Sequence, residues 1–358
     1  MKTSHVKVVL MMIMLAMMMS TLGGCATSAT VPAWSSVTVA GEILYTGGQA
    51  GRVYALDAAN GAEIWQYPPS SEKARGPFYA APVLLDGTLY VGSYDHSLYA
   101  LDAYTGSPRW TFNSNGYILA DVAISDGLVY LASSDHKLYA LEAQTGLKKW
   151  EFATGNWIWG RPAVANGKVY ISSFDHRLYC LDAVSGKELW HFAAGGAFAG
   201  GPVVASDLVY CGAFDGKVYA LEANTGQVRW EFKASHWVWA SPLLVENMVY
   251  VGSLDKRLYA LDAITGAQSW SFTTNGLIRA TPAYANGLLY VGTDNGILYA
   301  LNAANGQQKW VFNANQAMLT SPVVADGTVY ISVLGDKIYA LDAETGVQRW
   351  DVVPSKRK

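Results

Sequence analysis

Short apolar runs separated by polar turn residues recur along the chain after residue 34. Between residues 203 and 232, four of them follow one another: Val203–Ala205, Leu208–Gly212, Lys217–Leu221 and Val228–Phe232. Asp, Asn, Ser and Gly occupy the gaps, as expected where strands are joined by tight turns. Beyond residue 33, no stretch shows helical periodicity of useful length. The pattern therefore predicts short antiparallel strands, four in every ~40 residues.

The four-strand unit is repeated eight times in register. Each copy has an apolar residue, Tyr, a small residue, Leu, usually an acidic residue and Ala, then a turn ending in Gly and, four residues later, Trp. The tryptophans are Trp65, Trp110, Trp150, Trp190, Trp230, Trp270, Trp310 and Trp350. Their spacing is constant from Trp110 onwards, and only the first interval, from Trp65 to Trp110, is longer. This period predicts an all-β fold, an eight-bladed β-propeller of four-stranded antiparallel blades.

The residues that recur in every copy are predicted to be structural. The repeated Gly stands where the turn requires a positive φ angle. The Asp or Glu four residues before it can accept hydrogen bonds from the turn's backbone amides, and Asn302 can do the same in the one copy without a carboxylate. Each Trp can bury ~150–250 Å², so eight in one register are expected to wedge adjacent blades together. A ring of metal-binding carboxylates is the less favoured alternative.

The N-terminal segment, up to residue 33, resembles an export signal. Lys2 and Lys7 precede an apolar run from Val8 to Met19, and Leu22–Cys25 resembles a bacterial lipobox. This apolar run is shorter than the roughly 20 apolar residues that a helix needs to span a membrane. We therefore predict acylation of Cys25, with ordinary signal cleavage nearby as the alternative. Ala26 after the cysteine favours delivery to the outer membrane, by the general behaviour of bacterial lipoproteins.

These features divide the chain into four predicted parts. They are a lipoprotein signal peptide over 1–24, a lipid-anchored tether over 25–33, the propeller over 34–353 and a C-terminal tail over 354–358. The formal net charge is −3, charged residues make up 15% of the chain, and no basic stripe of the kind that binds nucleic acid is present. Nucleic acid is therefore not an expected partner.

Two further cysteines, Cys180 and Cys211, fall within the repeats. Export permits a disulfide. A hairpin near Asp175–His176 would place their two register positions opposite each other, with side chains on the same side of a blade. Equivalent sides of neighbouring blades do not face each other, so we predict two free, buried thiols.

The repeat motif resembles the pyrroloquinoline-quinone-like repeats of eight-bladed propellers. The family's motif Ala–x–Asp–x–x–x–Gly–x–x–x–Trp is present from Ala100 to Trp110, with Asp102 and Gly106 in place, and recurs with small variations over residues 34–353. With its lipobox and no other domain, the chain resembles those family members that are lipoprotein scaffolds of outer-membrane β-barrel assembly. The resemblance implies a monomeric, lipid-anchored protein on the periplasmic face of the outer membrane, with the β-barrel assembly machinery as its protein partner.

Enzymatic members of that family bind a quinone and calcium and carry adjacent cysteines and a catalytic aspartate. This chain has neither a Cys–Cys pair nor a Cys–x–x–Cys–His sequence, and it lacks the long insertions that build the dehydrogenase pocket. Asp121 is the one unpatterned carboxylate near the expected channel, and a lone Asp does not make a general base. We therefore expect no catalytic residues and no cofactor. Binding of a quinone, a sugar or another small ligand is the alternative, and dehydrogenase activity the least favoured.

Departures from the repeat mark the best candidate site. In a propeller the hairpins between the second and third strands share one face with the connections between blades. On that face, residues outside the repeat register form the candidate interaction site: Trp157, Trp159, Arg161, Trp237, Trp239, Arg279 and Tyr117. Exposed aromatics with Arg nearby are typical of protein and ligand interfaces. The alternative is that the Trp–x–Trp segments plug the channel entrance.

Three histidines, His96, His136 and His176, follow Asp in consecutive hairpins on the same face. Three imidazoles could hold a metal if they converged on one ion. Hairpin tips of successive blades are expected to lie well apart, and Asp–His is a plausible turn pair. We therefore predict no metal site.

Overall fold

The structure, a computed structural model, describes residues 35–354, which form eight antiparallel four-stranded sheets. The predicted all-β, eight-bladed propeller is confirmed. Residues 35–354 contain no helix with the length and apolar character needed to cross a membrane. The signal peptide, Cys25, the tether and residues 355–358 lie outside the described residues.

Each blade consists of four consecutive strands, innermost first. Blade 1 has β1 (Val37–Ala40), β2 (Ile43–Gly47), β3 (Val53–Asp57) and β4 (Glu63–Tyr67). Blade 2 has β5 (Val83–Leu85), β6 (Thr88–Gly92), β7 (Ser97–Asp102) and β8 (Pro108–Asn113). Blade 3 has β9 (Ala123–Ser125), β10 (Leu128–Ala132), β11 (Lys137–Glu142) and β12 (Lys148–Ala153). Blade 4 has β13 (Ala163–Ala165), β14 (Lys168–Ser172), β15 (Arg177–Asp182) and β16 (Glu188–Ala193).

The second half of the ring repeats the arrangement. Blade 5 has β17 (Val203–Ala205), β18 (Leu208–Gly212), β19 (Lys217–Glu222) and β20 (Val228–Lys233). Blade 6 has β21 (Leu243–Val245), β22 (Met248–Gly252), β23 (Arg257–Asp262) and β24 (Gln268–Thr273). Blade 7 has β25 (Ala283–Ala285), β26 (Leu288–Gly292), β27 (Ile297–Asn302) and β28 (Gln308–Asn313). Blade 8 has β29 (Val323–Ala325), β30 (Thr328–Val333), β31 (Lys337–Asp342) and β32 (Gln348–Val352).

The middle strands of each blade are buried on both faces, which explains their nearly continuous apolar sequence. In β11, Leu138 and Ala140 pack towards blade 4, whereas Tyr139 and Leu141 pack towards blade 2. The outermost strands instead alternate exposed and half-buried residues, as in β12. The hydrophobic core is therefore a series of layers between blades, with the polar edges of the sheets turned outwards.

The repeated tryptophans join adjacent blades. Trp230 donates a hydrogen bond from Nε1 to the carbonyl oxygen of Ala263 in the next blade, at 2.9 Å, and the Tyr210 hydroxyl donates to the same oxygen at 3.1 Å. The repeated Gly of that blade, Gly266, has φ +73°, and a Cβ there would lie 2.6 Å from the Trp230 ring. One position thus requires Gly both for its backbone conformation and for close packing.

The repeated carboxylates cap their turns as the sequence suggests. Asp102 accepts hydrogen bonds from the backbone amides of Tyr104 and Thr105 at 3.1 and 3.0 Å. Arg109 also pairs with it at 2.7 Å. The Arg109 contact, together with the turn hydrogen bonds, lowers the pKa of Asp102 to about 2. Its contacts are thus local to the turn and the neighbouring strand.

Among residues 35–354, the ring closes between blades 8 and 1 without a shared strand. Trp350 Nε1 and the Tyr330 hydroxyl both donate to the carbonyl oxygen of Ala58, each at 3.1 Å. A further polar contact at this seam involves Asp336. The Gln49 amide donates to a carboxylate oxygen of Asp336 at 2.7 Å, and burial raises the pKa of Asp336 to about 6.

Cys180 and Cys211 are buried and free, so the prediction of two free thiols is confirmed. The reasoning behind it was wrong by one position of register. Cys180 lies opposite Tyr170, and Cys211 lies opposite Tyr219. Because a shift of one residue reverses the side that a side chain faces, the two positions point to opposite sides of a blade. Both cysteines therefore belong to the same layer between blades 4 and 5. Burial raises the pKa of both thiols.

The longer first interval corresponds to a loop over residues 68–76, between blades 1 and 2. The Arg52 guanidinium donates to the carbonyl oxygens of Pro69 and Glu72 at 2.8 and 2.9 Å, and also to that of Pro68. The additional residues of this connection are thus accommodated without disturbing the ring.

Candidate functional site

The blade connections and the hairpins between second and third strands form one end of the propeller, which we call the connection face. Backbone hydrogen bonds join the two kinds of segment: Ser134 N donates to Tyr117 O at 3.0 Å, and Phe174 N donates to Trp157 O at 2.9 Å. The opposite end, the turn face, holds the turns between first and second strands and between third and fourth strands. All seven candidate residues lie on or next to the connection face.

Four candidate tryptophans come together in one group, which we call the aromatic cluster. Its members are Trp157, Trp159, Phe174, Phe214, Trp237 and Trp239. Trp159 is 6.0 Å from Trp157 and 6.2 Å from Trp239, measured between ring centroids. Trp237 stacks on Phe214 at 4.7 Å with an interplanar angle of 9°. The two Trp–x–Trp segments, which precede blades 4 and 6, thus form a single surface.

Small residues in the intervening connection allow this convergence. Ala197 and Ala199 occupy the positions that hold Trp in the connections on either side, and both are buried against the cluster. With no large side chain there, Trp159 and Trp239 can meet across the gap. Phe174 and Phe214 were not among the residues predicted for this site. They stand at the hairpin position where blade 3 has Ser134, and an aromatic residue in that register was the available signal.

The aromatic cluster is half-buried. Phe174 and Phe214 are 7% and 8% exposed, whereas the four tryptophans retain intermediate exposure. Trp159 Nε1 is buried and has no hydrogen-bond partner among the described residues. Leaving a buried donor unpaired costs ~1–3 kcal/mol. The cluster is therefore partly packed within the protein and partly open to solvent.

Arg279 extends the aromatic cluster with a positive charge. Its guanidinium carbon lies 5.3 Å from the centroid of the Trp239 ring, a cation–π arrangement. Its Nε is 3.8 Å from a carboxylate oxygen of Asp294, and its side chain is 17% exposed. Burial lowers the pKa of Arg279, but a guanidinium remains charged at any physiological pH.

A central channel of about 610 Å³ opens beside the aromatic cluster, and Trp159 and Trp239 contribute to its wall. One register position lines it, directly before the innermost strand in blade 1 and two residues before it in blades 2–8, in the order Ser36, Ala81, Asp121, Arg161, Gly201, Ser241, Thr281 and Ser321. Asp121 accepts a hydrogen bond from Ala81 N at 2.6 Å. Burial raises the pKa of Asp121, and the positive charge of Arg161 acts in the opposite direction. The channel thus combines an acid and an exposed base with small polar residues.

Tyr117 belongs to a different aromatic group. It stacks on Tyr94 with ring centroids 3.8 Å apart and meets the edge of His96 at 4.9 Å. Within residues 35–354, none of its ring contacts is to a member of the aromatic cluster. Tyr117 is 36% exposed. The structure therefore places Tyr117 on the connection face but outside the aromatic cluster.

The three histidines occupy left-handed hairpin positions, with φ of +75°, +72° and +74° for His96, His136 and His176. Lys256 and Gly296 also have positive φ at this register, as expected of a turn position. The preceding Asp is engaged within its blade: the Tyr99 hydroxyl, for example, donates to Asp95 at 2.7 Å. In the part of the chain that the structure describes, no three His, Cys, Asp or Glu side chains form a group able to hold a metal ion.

The two ends of the propeller differ in charge. Acidic residues of the turn face are Glu42, Asp57, Asp86, Asp102, Asp126, Glu142, Asp182, Asp207, Glu222, Glu246, Asp262, Asp326, Asp342 and Glu344. Arg109, Lys149, Arg229 and Arg349 each pair with one of them. Lys148, Lys168, Lys187 and Lys309 are further bases at this end, so acidic residues still outnumber basic ones there. On the connection face, five third strands begin with a base: Lys137, Arg177, Lys217, Arg257 and Lys337. Lys137, Lys217 and Lys337 pair with acidic residues of the fourth strand, and each of these hairpins also carries an Asp, so the exposed bases that remain among the five are Arg177 and Arg257.

Comparison with known proteins identifies relatives of the same architecture. A family described as outer membrane protein assembly factor BamB matches residues 24–82, 49–157, 154–236, 175–282 and 273–357. No curated protein matches the chain in sequence. The crystal structure of BamB from Moraxella catarrhalis is 22% identical with a TM-score of 0.68, over 87% of this chain and 91% of that one.

Two further solved structures share the fold alone. The computationally designed Ika8 protein has a TM-score of 0.76 at 16% identity, over 88% of this chain and 95% of that one. A europium-containing methanol dehydrogenase has a TM-score of 0.66 at 16% identity, over 76% of this chain and 77% of that one. Because a designed protein and an enzyme share the architecture, the fold does not decide function.

Proposed function

The chain belongs to the family of outer membrane protein assembly factor BamB, and on this premise we propose that it is a non-enzymatic scaffold, which binds a protein partner in outer-membrane β-barrel assembly. The family match and the sequence of residues 1–25 also support a place at the periplasmic face of the outer membrane, with Cys25 as the acylated anchor. The observation that carries the proposal is the aromatic cluster on the connection face.

The composition of the aromatic cluster suits a protein interface. Trp and Arg are enriched among residues that dominate binding energy, because they bury a large area and keep a polar or charged group for the partner. Here Trp157 and Trp237 remain partly exposed, while the buried rings of Phe174 and Phe214 pack against the tryptophans. Arg279 offers a cation beside them. Aromatic anchors held by buried neighbours lose little conformational entropy on binding.

The propeller would serve mainly to hold this surface in place. Every blade interface repeats the same Trp-to-Ala hydrogen bond, so the connections project from a rigid ring. Binding residues that sit on loops of a rigid scaffold are a common arrangement in proteins. The connections can therefore vary between blades, as they do here, without loss of the fold.

The test is affinity purification of the acylated protein from membranes, followed by identification of co-purifying proteins. We expect recovery of components of the β-barrel assembly machinery. The double variant Trp157→Ala/Trp237→Ala should lose most of this recovery, because it removes the two exposed anchors. Tyr104→Ala is a matched control, since Tyr104 is 71% exposed on the turn face.

Two results would contradict the proposal. One is recovery of the wild type without any assembly component. The other is an equal loss of partner from Tyr104→Ala and from the tryptophan double variant. Thermal melts of all three proteins should agree within a few degrees, which separates lost binding from lost folding.

A small ligand in the channel is a second candidate, favoured by the ~610 Å³ volume and the aromatic wall at Trp159 and Trp239. Pockets of this size and lining hold small molecules. The residues do not fit calcium-dependent quinone chemistry, because Asp121 is the single carboxylate among the residues lining the channel. Titration of tryptophan fluorescence with quinones and sugars would detect binding, and no saturable change would exclude these ligands.

A further inference from the structure

We infer that the connection face is the membrane-proximal face of the propeller, so that the aromatic cluster lies towards the bilayer surface and the acidic turn face points away from it. The inference rests on the anchoring of Cys25 in the proposed function. It goes beyond that function because it states which side of the protein faces the membrane. Two independent observations carry it: the place where the chain enters the propeller, and the distribution of charge.

The chain enters the propeller at the connection face, close to the central axis. Ser35 is buried, accepts a hydrogen bond from Gly47 N at 3.2 Å and donates to the carbonyl oxygen of Ala80 at 3.0 Å. Ser36 lines the channel and donates to Ser321 O at 2.9 Å. From there β1 runs inwards along the channel towards the turn face. The point of attachment is thus fixed beside the channel mouth that Trp159 and Trp239 help to form.

The distance from anchor to attachment point is short. Ser35 stands ten positions after Cys25, and ten such steps span at most ~35 Å when fully extended. An acyl chain in the bilayer therefore keeps the channel mouth close to the lipid surface.

By a path round the outside of the blades, the turn face is too far from the attachment point for the tether to reach it. A tether that led round the outside would first cross from the innermost to the outermost strand, ~20 Å including side chains at a strand spacing of ~4.8 Å. It would then run the height of the outer strand and its turns, another ~25 Å at ~3.3 Å per residue. The path of ~45 Å exceeds the ~35 Å available.

The charge distribution favours the same orientation. The turn face is acidic, whereas Arg177 and Arg257 are exposed bases at the connection face. A membrane surface that carries anionic lipid repels the turn face and attracts the bases. This preference does not depend on the tether, and it is reduced by salt because such charges are screened beyond ~10 Å at 0.1 M ionic strength.

The test measures energy transfer from a single labelled cysteine to acceptor-labelled headgroups, using the acylated full-length protein in vesicles that contain anionic lipid. Ser235→Cys places the donor in an exposed position of the connection face, and Val184→Cys places it in an exposed turn of the turn face. Cys180 and Cys211 are buried and should not react under native conditions. We expect transfer about twofold higher from Ser235→Cys, given the ~35 Å limit on the reach of the tether.

A second variant pair lengthens the tether by about 20 Gly and Ser residues between positions 33 and 34, adding up to ~70 Å of reach. The difference between the two labels should shrink, most of all at high salt. Equal transfer from the two labels with the native tether, or higher transfer from Val184→Cys, would overturn the inference. A difference that a longer tether leaves unchanged at high salt would contradict the role given to tether length.

The two proposals can fail separately. If the protein is not acylated and does not bind vesicles, the inference fails, although partner recovery from extracts could still support the scaffold. If the labels show the expected difference but purification recovers no assembly component, the orientation stands and the proposed partner is wrong.

Discussion

The repeat-register tryptophans and the tryptophans of the aromatic cluster show how one amino acid serves two purposes in one protein. Trp230 belongs to the first set: its Nε1 donates to Ala263 of the next blade, as the Nε1 of each register tryptophan does to the corresponding Ala. It is 8% exposed, whereas the other seven have intermediate exposure. Trp159 belongs to the second: it keeps intermediate exposure, and its Nε1 is without a partner in residues 35–354. A satisfied, repeated contact contributes stability at every interface. The unpaired indole N–H of Trp159 contributes little stability, and the exposed part of the ring remains available to a binding partner.

The largest expected difference between the two sets is in stability. Trp230→Ala removes a buried ring and its hydrogen bond, and should lower the free energy of unfolding by about 3–5 kcal/mol. Trp237→Ala removes a ring that is partly exposed, and should cost less than half as much. Denaturant titration of both variants measures the difference. Equal losses would mean that the aromatic cluster is framework as well.

The glycine beneath each register tryptophan gives a second test. Gly266→Ala combines φ of +73° with a Cβ 2.6 Å from the Trp230 ring, and should cost about 2–4 kcal/mol from strain and overpacking. Gly127→Ala is the matched control, because Gly127 has φ of +74° and no atom within 4 Å of the added Cβ. It should cost about 1 kcal/mol. If the two losses are equal, contact with Trp is not what requires glycine.

Asp336, on the connection face, and Asp102, on the turn face, have carboxyl pKa values shifted in opposite directions. Burial raises the pKa of Asp336 to about 6, above its ordinary 3.8. The folded state therefore binds this proton more tightly than the unfolded chain, and the free energy of unfolding falls as the pH rises from about 4 to about 6. Asp336→Asn lacks this dependence, so its stability relative to the wild type should increase by about 2 kcal/mol between pH 4 and pH 7.

The control for that experiment is Asp102→Asn. Because Arg109 and the turn amides lower the pKa of Asp102 to about 2, its contribution to stability is present above pH 4 and is lost as the pH falls through 2. The two variants should therefore diverge from the wild type in opposite pH directions. A parallel shift of Asp336→Asn at all pH values would show that its carboxyl group has no raised pKa.

The smallest expected effect concerns the unpaired indole. Trp159→Phe deletes a buried N–H without a partner, so the lost ring area and the relieved desolvation oppose each other, and the net change should stay within about 1 kcal/mol. Trp230→Phe breaks a satisfied hydrogen bond and should cost about 2 kcal/mol. Chemical denaturation of the two variants measures the two changes in the free energy of unfolding. A loss from Trp159→Phe as large as that from Trp230→Phe would indicate a partner for this N–H in solution.

Local rules accounted for the framework. The repeat period, the turn Gly and its acidic partner depend on neighbours in sequence, and each appears in the structure as expected, as Asp102 and Gly266 illustrate. The two cysteine positions were wrongly expected to face the same side of a blade, because that expectation depended on the strand register. A shift of one residue reverses which side of a sheet is faced, and nothing in the sequence near Cys180 fixes that register.

The aromatic cluster was predicted only in part. Trp157, Trp159, Trp237 and Trp239 stood out because they break the repeat. Phe174 and Phe214 did not, because each looked like one apolar residue in a hairpin. Tyr117 also broke the repeat, yet it packs on Tyr94 instead of joining the cluster. Which irregular residues meet depends on the angle and spacing of blades around the axis, and a linear pattern does not contain that information.

By itself, the sequence determined the number of blades, their strands and the contacts between consecutive repeats, because these follow from short-range periodicity repeated eight times. Only the tertiary structure decided that two Trp–x–Trp segments share a surface over Ala197 and Ala199, and that Asp336 lies at the seam beside Gln49. Ring closure brings Gln49 of the first blade against Asp336 of the last. Such contacts depend on the whole circle being complete, so no local stretch of the chain could specify them.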